Sequence, residues 1–143
     1  MSPETANPID DILLEPLLAR LATVSPLTLQ PHVVPVWFYW DNEYIWISAF
    51  ASTRKVKEIA SNPRCAVVID GGGPPESDTP WGVLLEGTAE LIDSPAEFVV
   101  EMSTRIYTRY LGPQGVLAPD PQSWIHDPEN RLICLKPQLI HAW

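Results

Sequence analysis

The chain has 143 residues, 45% hydrophobic and 19% charged, which supplies enough apolar surface for a packed core. Nine Lys and Arg residues against eighteen Asp and Glu residues give a net charge of −9, which excludes a broad electrostatic surface for nucleic acid or acidic lipid. Sixteen prolines divide the sequence into short segments and disfavour a helical bundle.

The length is typical of one folding unit, so we expect a single domain over residues 1–143, with residues 1–11 forming a flexible N-terminal arm. No apolar run is long enough to cross a bilayer and no export signal opens the chain, which predicts a cytoplasmic protein without a membrane partner. Cys65 and Cys134 lack the spacing of a zinc site or a disulfide framework, which predicts two buried packing residues and no metal site.

The first part of the chain predicts one short helix followed by strands. Asn7-Pro8-Ile9-Asp10 has the residues of a helix entry, and a strand is expected at 20–24. The β-branched and aromatic run 32–40 predicts a buried strand, with a bulge or an edge at Pro35. Asp41-Asn42 is a candidate two-residue turn, so we expect residues 32–40 and 44–48 to form a hairpin.

The middle of the chain predicts a helix over 54–61, with Val56, Ile59 and Ala60 facing inward, and a strand over 65–70. The Gly- and Pro-rich segment 71–80 is interpreted as a surface loop, because it lacks the Gly-Lys-Ser/Thr ending of a phosphate-binding P-loop. A long strand is expected over 81–92, with a bulge at Gly87.

The last part of the chain predicts one helix and one strand. Ser94-Pro95-Ala96-Glu97 has the pattern of a capping box, and Leu111-Gly112-Pro113 is expected to stop the helix that follows. A proline-rich loop then leads to a strand that starts at Arg131 and bends at Lys136-Pro137. Six short strands with hairpin-scale connections predict a mainly β protein, a β-barrel with short helices, and exclude a doubly wound parallel sheet.

The segment Ser52-Thr53-Arg54-Lys55-Val56-Lys57 lies where a strand leads into a helix. Cations at a helix N-terminus oppose the helix dipole unless solvent screens them or an anion binds there. Free backbone N–H groups, two hydroxyls and two cations together describe a phosphate cradle. The alternative is a solvated basic turn in which Ser52 or Thr53 caps the helix.

The other side chains point to no particular reaction. Six tryptophans favour core and interface roles, although Trp81 follows a loop and could cover a planar cofactor or form a dimer contact. The three histidines are widely separated, and Ser52 has no evident base, so the sequence identifies no catalytic residue.

The order of the segments LATV (21–24), PHVVPVWF (31–38), STRKVK (52–57), NPR (62–64) and GVLLEGTAE (82–90) resembles the pyridoxamine 5'-phosphate oxidase-like family. The resemblance covers about residues 12–143. It implies a six-stranded antiparallel split β-barrel of the FMN-binding type, and a homodimer with its cofactor sites at the subunit interface. The implied cofactor is FMN or, alternatively, the deazaflavin F420.

The resemblance also implies which residues bind the cofactor. Its phosphate would be bound by Ser52, Thr53, Arg54 and Lys55, and its ring would lie against Val36, Trp37, Ile47, Ser48 and Ala49. The flavin-dependent oxidase itself usually has a basic residue at the position of Trp37 and a C-terminal Arg/His segment, and this chain departs from both. Oxidation of pyridoxamine phosphate is therefore not expected, and the Pro-Val-Trp-Phe stretch is more similar to the actinobacterial branch that includes binders of F420.

Three functions remain at this point. The first is an oxidoreductase that transfers a hydride between FMN or F420 and a small organic substrate. The second is a non-catalytic carrier or sensor that holds a flavin or tetrapyrrole in the same barrel. The third is a structural dimer with no cofactor.

Overall fold

A computed structural model of the chain describes residues 8–71 and 81–143. Residues 1–7 of the expected arm and residues 72–80 of the expected surface loop lie outside this part of the chain, whereas residues 8–11 belong to the first helix. The elements in chain order are α1 Pro8–Leu13, β1 Ala19–Val24, β2 Pro31–Val36, β3 Tyr39–Trp40, β4 Ile45–Phe50, α2 Arg54–Ser61, β5 Arg64–Asp70, β6 Gly82–Ile92, α3 Ala96–Gly115, α4 Pro119–Ile125 and β7 Asn130–Ala142.

The strands form one antiparallel sheet of seven strands in the order β2-β1-β5-β6-β7-β4-β3. Its two edge strands, β2 and β3, are joined by Trp37 and Phe38 alone, so the two edges lie within about 10 Å of each other there. The sheet must therefore curl, which confirms the predicted mainly β barrel with short helices. Residues 8–71 and 81–143 contain seven strands rather than the predicted six, because the run 32–40 is divided into β2 and β3.

The predicted hairpin of 32–40 with 44–48 forms only at its closed end. Tyr39 pairs with Trp46 and Trp40 with Ile45, whereas β2 pairs along its whole length with β1. The turn residues are Asn42 and Glu43, one position later than predicted, because the Asp41 carboxylate accepts the N–H groups of Glu43 and Tyr44 at 2.8 and 2.6 Å. We call the gap that opens between β2 and residues 47–50 of β4 the split.

Side chains of α3 replace the strand pairing that is lost where the split begins. The Phe38 N–H donates to the Tyr110 hydroxyl at 3.1 Å, and the Phe38 carbonyl accepts from the Arg109 guanidinium. Arg109 also donates to the carbonyls of Leu13 and Glu15 at 3.1 and 2.8 Å. Its positive charge there interacts favourably with the negative, C-terminal end of the α1 helix dipole. Helix α3 therefore holds the divided run in place.

The core has two parts, one inside the barrel and one between the sheet and α3. Along β4, Ile45, Ile47 and Ala49 face the barrel interior, whereas Trp46 packs towards α3. From α2, Val56 and Ile59 are buried as predicted, but Ala60 is exposed. Glu58 takes the inward position instead, because partners from within the chain satisfy its carboxylate.

Two expectations about the last third of the chain are wrong. The capping box does not form, since α3 starts at Ala96 and its N-cap is Pro95, which has no side-chain group that could hydrogen-bond. The loop expected between Pro113 and Arg131 contains α4, because prolines fit the first turn of a helix. The predicted stop of α3 is confirmed in its geometry, as Gly112 has a φ of 81° and kinks the chain.

Two smaller predictions are confirmed. The register between β6 and β7 shifts at Glu86 and Gly87, which is the bulge expected at this glycine. Cys65 and Cys134 are both buried with free thiols. In the described ranges, no helix is both long and apolar enough to cross a bilayer.

Candidate functional site

The first turn of α2 keeps its backbone N–H groups without a side-chain cap. Thr53 occupies the N-cap position in an extended conformation, but its hydroxyl donates backward to the Phe50 carbonyl at 2.7 Å. Neither Ser52 nor Thr53 therefore caps the helix as the alternative interpretation required. Uncapped N–H groups at the positive end of a helix dipole are suited to an anion.

Arg54 is held by an internal partner. Its Nε donates to the Glu58 carboxylate Oε2 at 2.9 Å, one helical turn away, and its side chain is 52% exposed. A guanidinium has five N–H donors, and this contact uses the one on Nε. The Nη atoms at the end of the side chain have no hydrogen bond to the described residues, so they remain available to a ligand.

Glu58 is the most buried charged residue of this region, with 8% relative exposure. The Thr23 hydroxyl donates to its Oε1 at 2.6 Å, and His32 Nδ1 lies 4.0 Å from the same oxygen. Hydrogen bonds from Thr23 and then Arg54 hold the pKa of the Glu58 carboxyl below its ordinary value. Glu58 is therefore an anion that joins β1 to α2 and fixes the direction of the Arg54 side chain.

A cavity of about 490 Å³ opens beside these residues. It is lined by Ser25, Thr28, Ser52, Arg54, Lys57, Glu58 and Ser61. Two of the predicted phosphate-binding residues, Ser52 and Arg54, thus share one cavity, and the second cation in its wall is Lys57. The hydroxyls and cations of this wall fit a phosphate group.

Lys55 lies on a different side of α2, since successive residues of a helix are rotated by about 100°. It is half-buried, and burial lowers the pKa of its ammonium group. Within residues 8–71 and 81–143, Lys55 makes no ion pair with a carboxylate. A half-buried cation without a carboxylate partner would be stabilised by a bound anion.

The predicted ring contacts lie along the split, but few of their side chains face it. Val36, Ile47 and Ala49 have buried side chains in the barrel core, so they could contact a ring only through backbone atoms. Residues 47–50 of β4 pair with β7 and, in the part of the chain that the structure describes, with no strand on the other side. This unpaired stretch of β4 is the edge that a ring with hydrogen-bonding atoms would face.

The Ser48 hydroxyl is hydrogen-bonded to side chains within the protein. Its hydroxyl donates to Asn130 Oδ1 at 2.6 Å and accepts from Ser103 at 3.3 Å, while Asn130 Nδ2 donates to Ser103 at 2.9 Å. Ser103 and Asn130 are buried. The Ser48 side chain therefore points towards α3 and ties it to β4 and β7.

Neither of the two tryptophans among the predicted contacts lines the cavity at α2. Trp37 stacks on Tyr110 with ring centroids 4.7 Å apart, on the α3 side of the split. Trp81 lies edge-on to Trp143 at 6.2 Å, at the start of β6. The Ala89 N–H, near the other end of β6, donates to the Pro63 carbonyl just after α2, so roughly 25 Å of strand separate Trp81 from that region.

Sequence reasoning missed three residues of this site. Glu58 could have been found from the i, i+4 spacing that pairs it with Arg54, and Lys57 from its i, i+3 spacing to Arg54. Thr23 gave no local signal, because only the tertiary packing of β1 against α2 brings its hydroxyl to Glu58.

A sequence model of the family described as pyridoxamine 5'-phosphate oxidase matches residues 7–143 of this chain. The chain belongs to the pyridoxamine 5'-phosphate oxidase family. This confirms the resemblance drawn from the order of the motifs. No curated protein sequence is similar enough to the chain to count as a relative.

Solved structures share the fold of this family member at low sequence identity. An F420 reductase is 24% identical with a TM-score of 0.70, and the alignment covers 92% of this chain and 94% of that one. A conserved hypothetical protein from Mycobacterium tuberculosis is 22% identical with a TM-score of 0.75, covering 100% and 84%. The heme storage protein HutZ from Vibrio cholerae is 16% identical with a TM-score of 0.72, covering 94% and 91%. These similarities establish the fold of the chain.

The partners of Glu58 predict how the stability of this family member depends on pH. Because the pKa of Glu58 is lowered from 4.5 on folding, its contribution to stability is present above pH 4.5 and is lost as the pH falls through the folded-state value. We expect the wild-type urea midpoint to fall more steeply below pH 4.5 than that of Glu58→Gln. Equal slopes in the two proteins, measured by equilibrium unfolding between pH 3 and 7, would contradict this.

Proposed function

We propose that the protein is an oxidoreductase that binds FMN or F420 and transfers a hydride between this cofactor and a small organic substrate. The observation that carries the proposal is the uncapped start of α2, where Arg54, with unused N–H donors on its Nη atoms, lines a cavity together with Ser52 and Lys57. The cofactor supplies the hydride chemistry when bound, and residues of this chain bind and orient it.

The cofactor phosphate would bind at α2. Ser52, the backbone N–H groups of the first turn and the Arg54 Nη atoms would donate to its oxygens. Lys55, on the neighbouring side of the helix, would pair its ammonium group with the same phosphate. Thr53 would shape the turn rather than donate to the phosphate, since its hydroxyl and its backbone N–H both donate to the Phe50 carbonyl.

The cofactor ring would lie in the split. Its polar edge would hydrogen-bond to the backbone of β4 at Ser48, because the antiparallel register directs the N–H and C=O groups of Ile47 and Ala49 towards β7. Val36 would contact the ring from β2. Such contacts hold a planar ring without depending on side-chain identity, which suits a site whose side chains face the core. Trp37 would contact the ring on the side nearest α3.

We further propose a homodimer with a cofactor site at each end of the subunit interface. Apolar side chains are exposed on the outer face of the sheet, among them Val33 (59%) and Leu139 (48%). A second copy covering this face would remove them from water. It would also allow Trp81 of the partner subunit to reach a site that this chain's own Trp81 does not approach.

A non-catalytic carrier of a flavin or tetrapyrrole is the second candidate. HutZ, which has the same fold, is described as a heme storage protein. None of the described residues that line the cavity at α2 is a histidine, cysteine, methionine or tyrosine, the side chains that bind haem iron. The candidate site contains hydrogen-bond donors rather than iron ligands, which favours the flavin or deazaflavin.

Titration of the purified protein with FMN and with F420, followed by fluorescence and visible absorption, tests the proposal. We expect one of them to bind with a perturbed ring spectrum, and its anaerobically reduced form to be reoxidised by an organic acceptor at a rate above that of the free cofactor. Binding without accelerated reoxidation by any acceptor supports the carrier. No binding of either cofactor contradicts both cofactor-based functions.

A further inference from the structure

We infer that Glu58 is a positioning residue for the cofactor phosphate: held by Thr23, its carboxylate aims the Arg54 guanidinium at the anion. This inference rests on the proposed function, because it assigns a role within the same phosphate site. It adds two residues, Thr23 and Glu58, that would not touch the ligand themselves.

The geometry of the three side chains supports this role. Thr23 donates to Glu58 Oε1 at 2.6 Å, and Arg54 Nε donates to Oε2 at 2.9 Å, so each carboxylate oxygen has its own donor. Glu58 is 8% exposed and Thr23 is 2% exposed, which leaves the carboxylate little freedom to move. The half-exposed Arg54 side chain is therefore fixed at Nε, and its Nη atoms keep their N–H donors for a ligand.

The position of Glu58 is unfavourable for an anion site on charge alone. Its carboxylate lines the same cavity as Arg54 and Lys57, where it lowers the positive potential that a phosphate would meet. Removal of the charge would by itself tighten phosphate binding, whereas loss of the Arg54 orientation would weaken it, because an unrestrained arginine must be ordered when the ligand binds. The charge effect and the orientation effect thus change the affinity in opposite directions.

The test compares ligands with and without the phosphate. FMN and riboflavin are titrated into the wild type, Glu58→Ala, Glu58→Gln and Thr23→Val, with dissociation constants from fluorescence and thermal melting as a check on folding. If F420 is the cofactor that binds, F420 and its deazaflavin chromophore without the phosphate-linked tail replace the pair. Glu101→Ala is the matched control, since it removes a carboxylate that pairs with Arg105 at the same i, i+4 spacing on the surface of α3.

Glu58→Ala is expected to weaken binding of the phosphate-bearing ligand about tenfold and to leave the phosphate-free ligand within about twofold of the wild type. Glu58→Gln should bind the phosphate-bearing ligand at least as tightly as the wild type, because it removes the charge while its amide oxygen can accept from Arg54 and its amide nitrogen can donate to Thr23. Thr23→Val changes no charge and should weaken the phosphate-bearing ligand about threefold. It serves as the decisive variant if Glu58→Ala does not fold.

The inference would be overturned if Glu58→Ala bound the phosphate-bearing ligand as tightly as the wild type or more tightly. If Glu58→Ala does not fold, the same result with Thr23→Val would overturn it. Equal weakening of both ligands would also overturn it, since that result indicates general structural damage. Failure of the proposed function gives a different result: the wild type would then bind neither cofactor, or would not distinguish a ligand with a phosphate from one without it.

Discussion

Replacement of both Arg54 and Lys55 with Ala is expected to weaken binding of the phosphate-bearing cofactor by a few kcal/mol, about 100-fold or more. Each cation would donate a charge-assisted hydrogen bond of roughly 1.5 to 3 kcal/mol to the phosphate. Lys55 is half-buried without a carboxylate partner in the described residues, and Arg54→Ala removes one hydrogen bond to the Glu58 carboxylate, which Thr23 still holds, so we expect the fold to be kept. Fluorescence titration with FMN and F420 measures the loss, and circular dichroism checks the fold.

The matched control for this double variant removes two positive charges elsewhere. Arg64 and Lys136 are exposed and do not belong to α2, so Arg64→Ala with Lys136→Ala reproduces the change in net charge without touching the site. We expect this control to bind the cofactor within a few-fold of the wild type, because solvent and salt screen exposed charges at a distance. An equal loss in both double variants would show that the effect comes from net charge.

Gly87→Ala is expected to destabilise the protein by about 3 kcal/mol, or roughly 10 °C in melting temperature. At the bulge between β6 and β7, a Cβ on residue 87 would collide with the Lys136 carbonyl oxygen and would lie 2.9 Å from its carbon and 3.1 Å from the Gln138 nitrogen. These are backbone atoms of the paired strand, so no side chain can move aside to make room. Thermal and urea unfolding measure the change.

Gly71→Ala is the matched control for the bulge. A Cβ at residue 71 would meet nothing within 4 Å, and Gly71 ends the described segment after β5. Its effect on the free energy of unfolding should stay within about 0.5 kcal/mol, as is usual for exposed positions. A Gly87→Ala protein as stable as the wild type would contradict the packing described at the bulge.

Local signals in the sequence are sufficient to predict much of the fold. The helix predicted over 54–61 has the bounds of α2, because a strand-to-loop transition precedes it and Asn62-Pro63 ends it. The bulge at Gly87 and the stop at Gly112 are predictable because a glycine within a strand often marks a bulge, and a glycine after a helical run often ends the helix. These features depend on residues close together in the chain.

The features that local patterns miss depend on distant residues. Run 32–40 is continuous in its hydrophobic pattern, yet it divides at Trp37 because β2 pairs with β1 while Arg109 and Tyr110 of α3 hold Phe38. A single-sequence pattern does not contain that competition. In the same way, the basic cluster at α2 predicts an anion site, but the burial of Glu58 and its hydrogen bond to Thr23 require β1 to be in place.

The affinity difference between a cofactor and its phosphate-free form tests whether the start of α2 binds a phosphate. The wild-type protein is titrated with FMN and riboflavin and, separately, with F420 and its deazaflavin chromophore without the phosphate-linked tail, all at one pH and salt concentration. For the cofactor that binds, we expect the phosphate-bearing form to bind at least about 100-fold more tightly. Equal affinities within each pair would contradict a phosphate site at the start of α2.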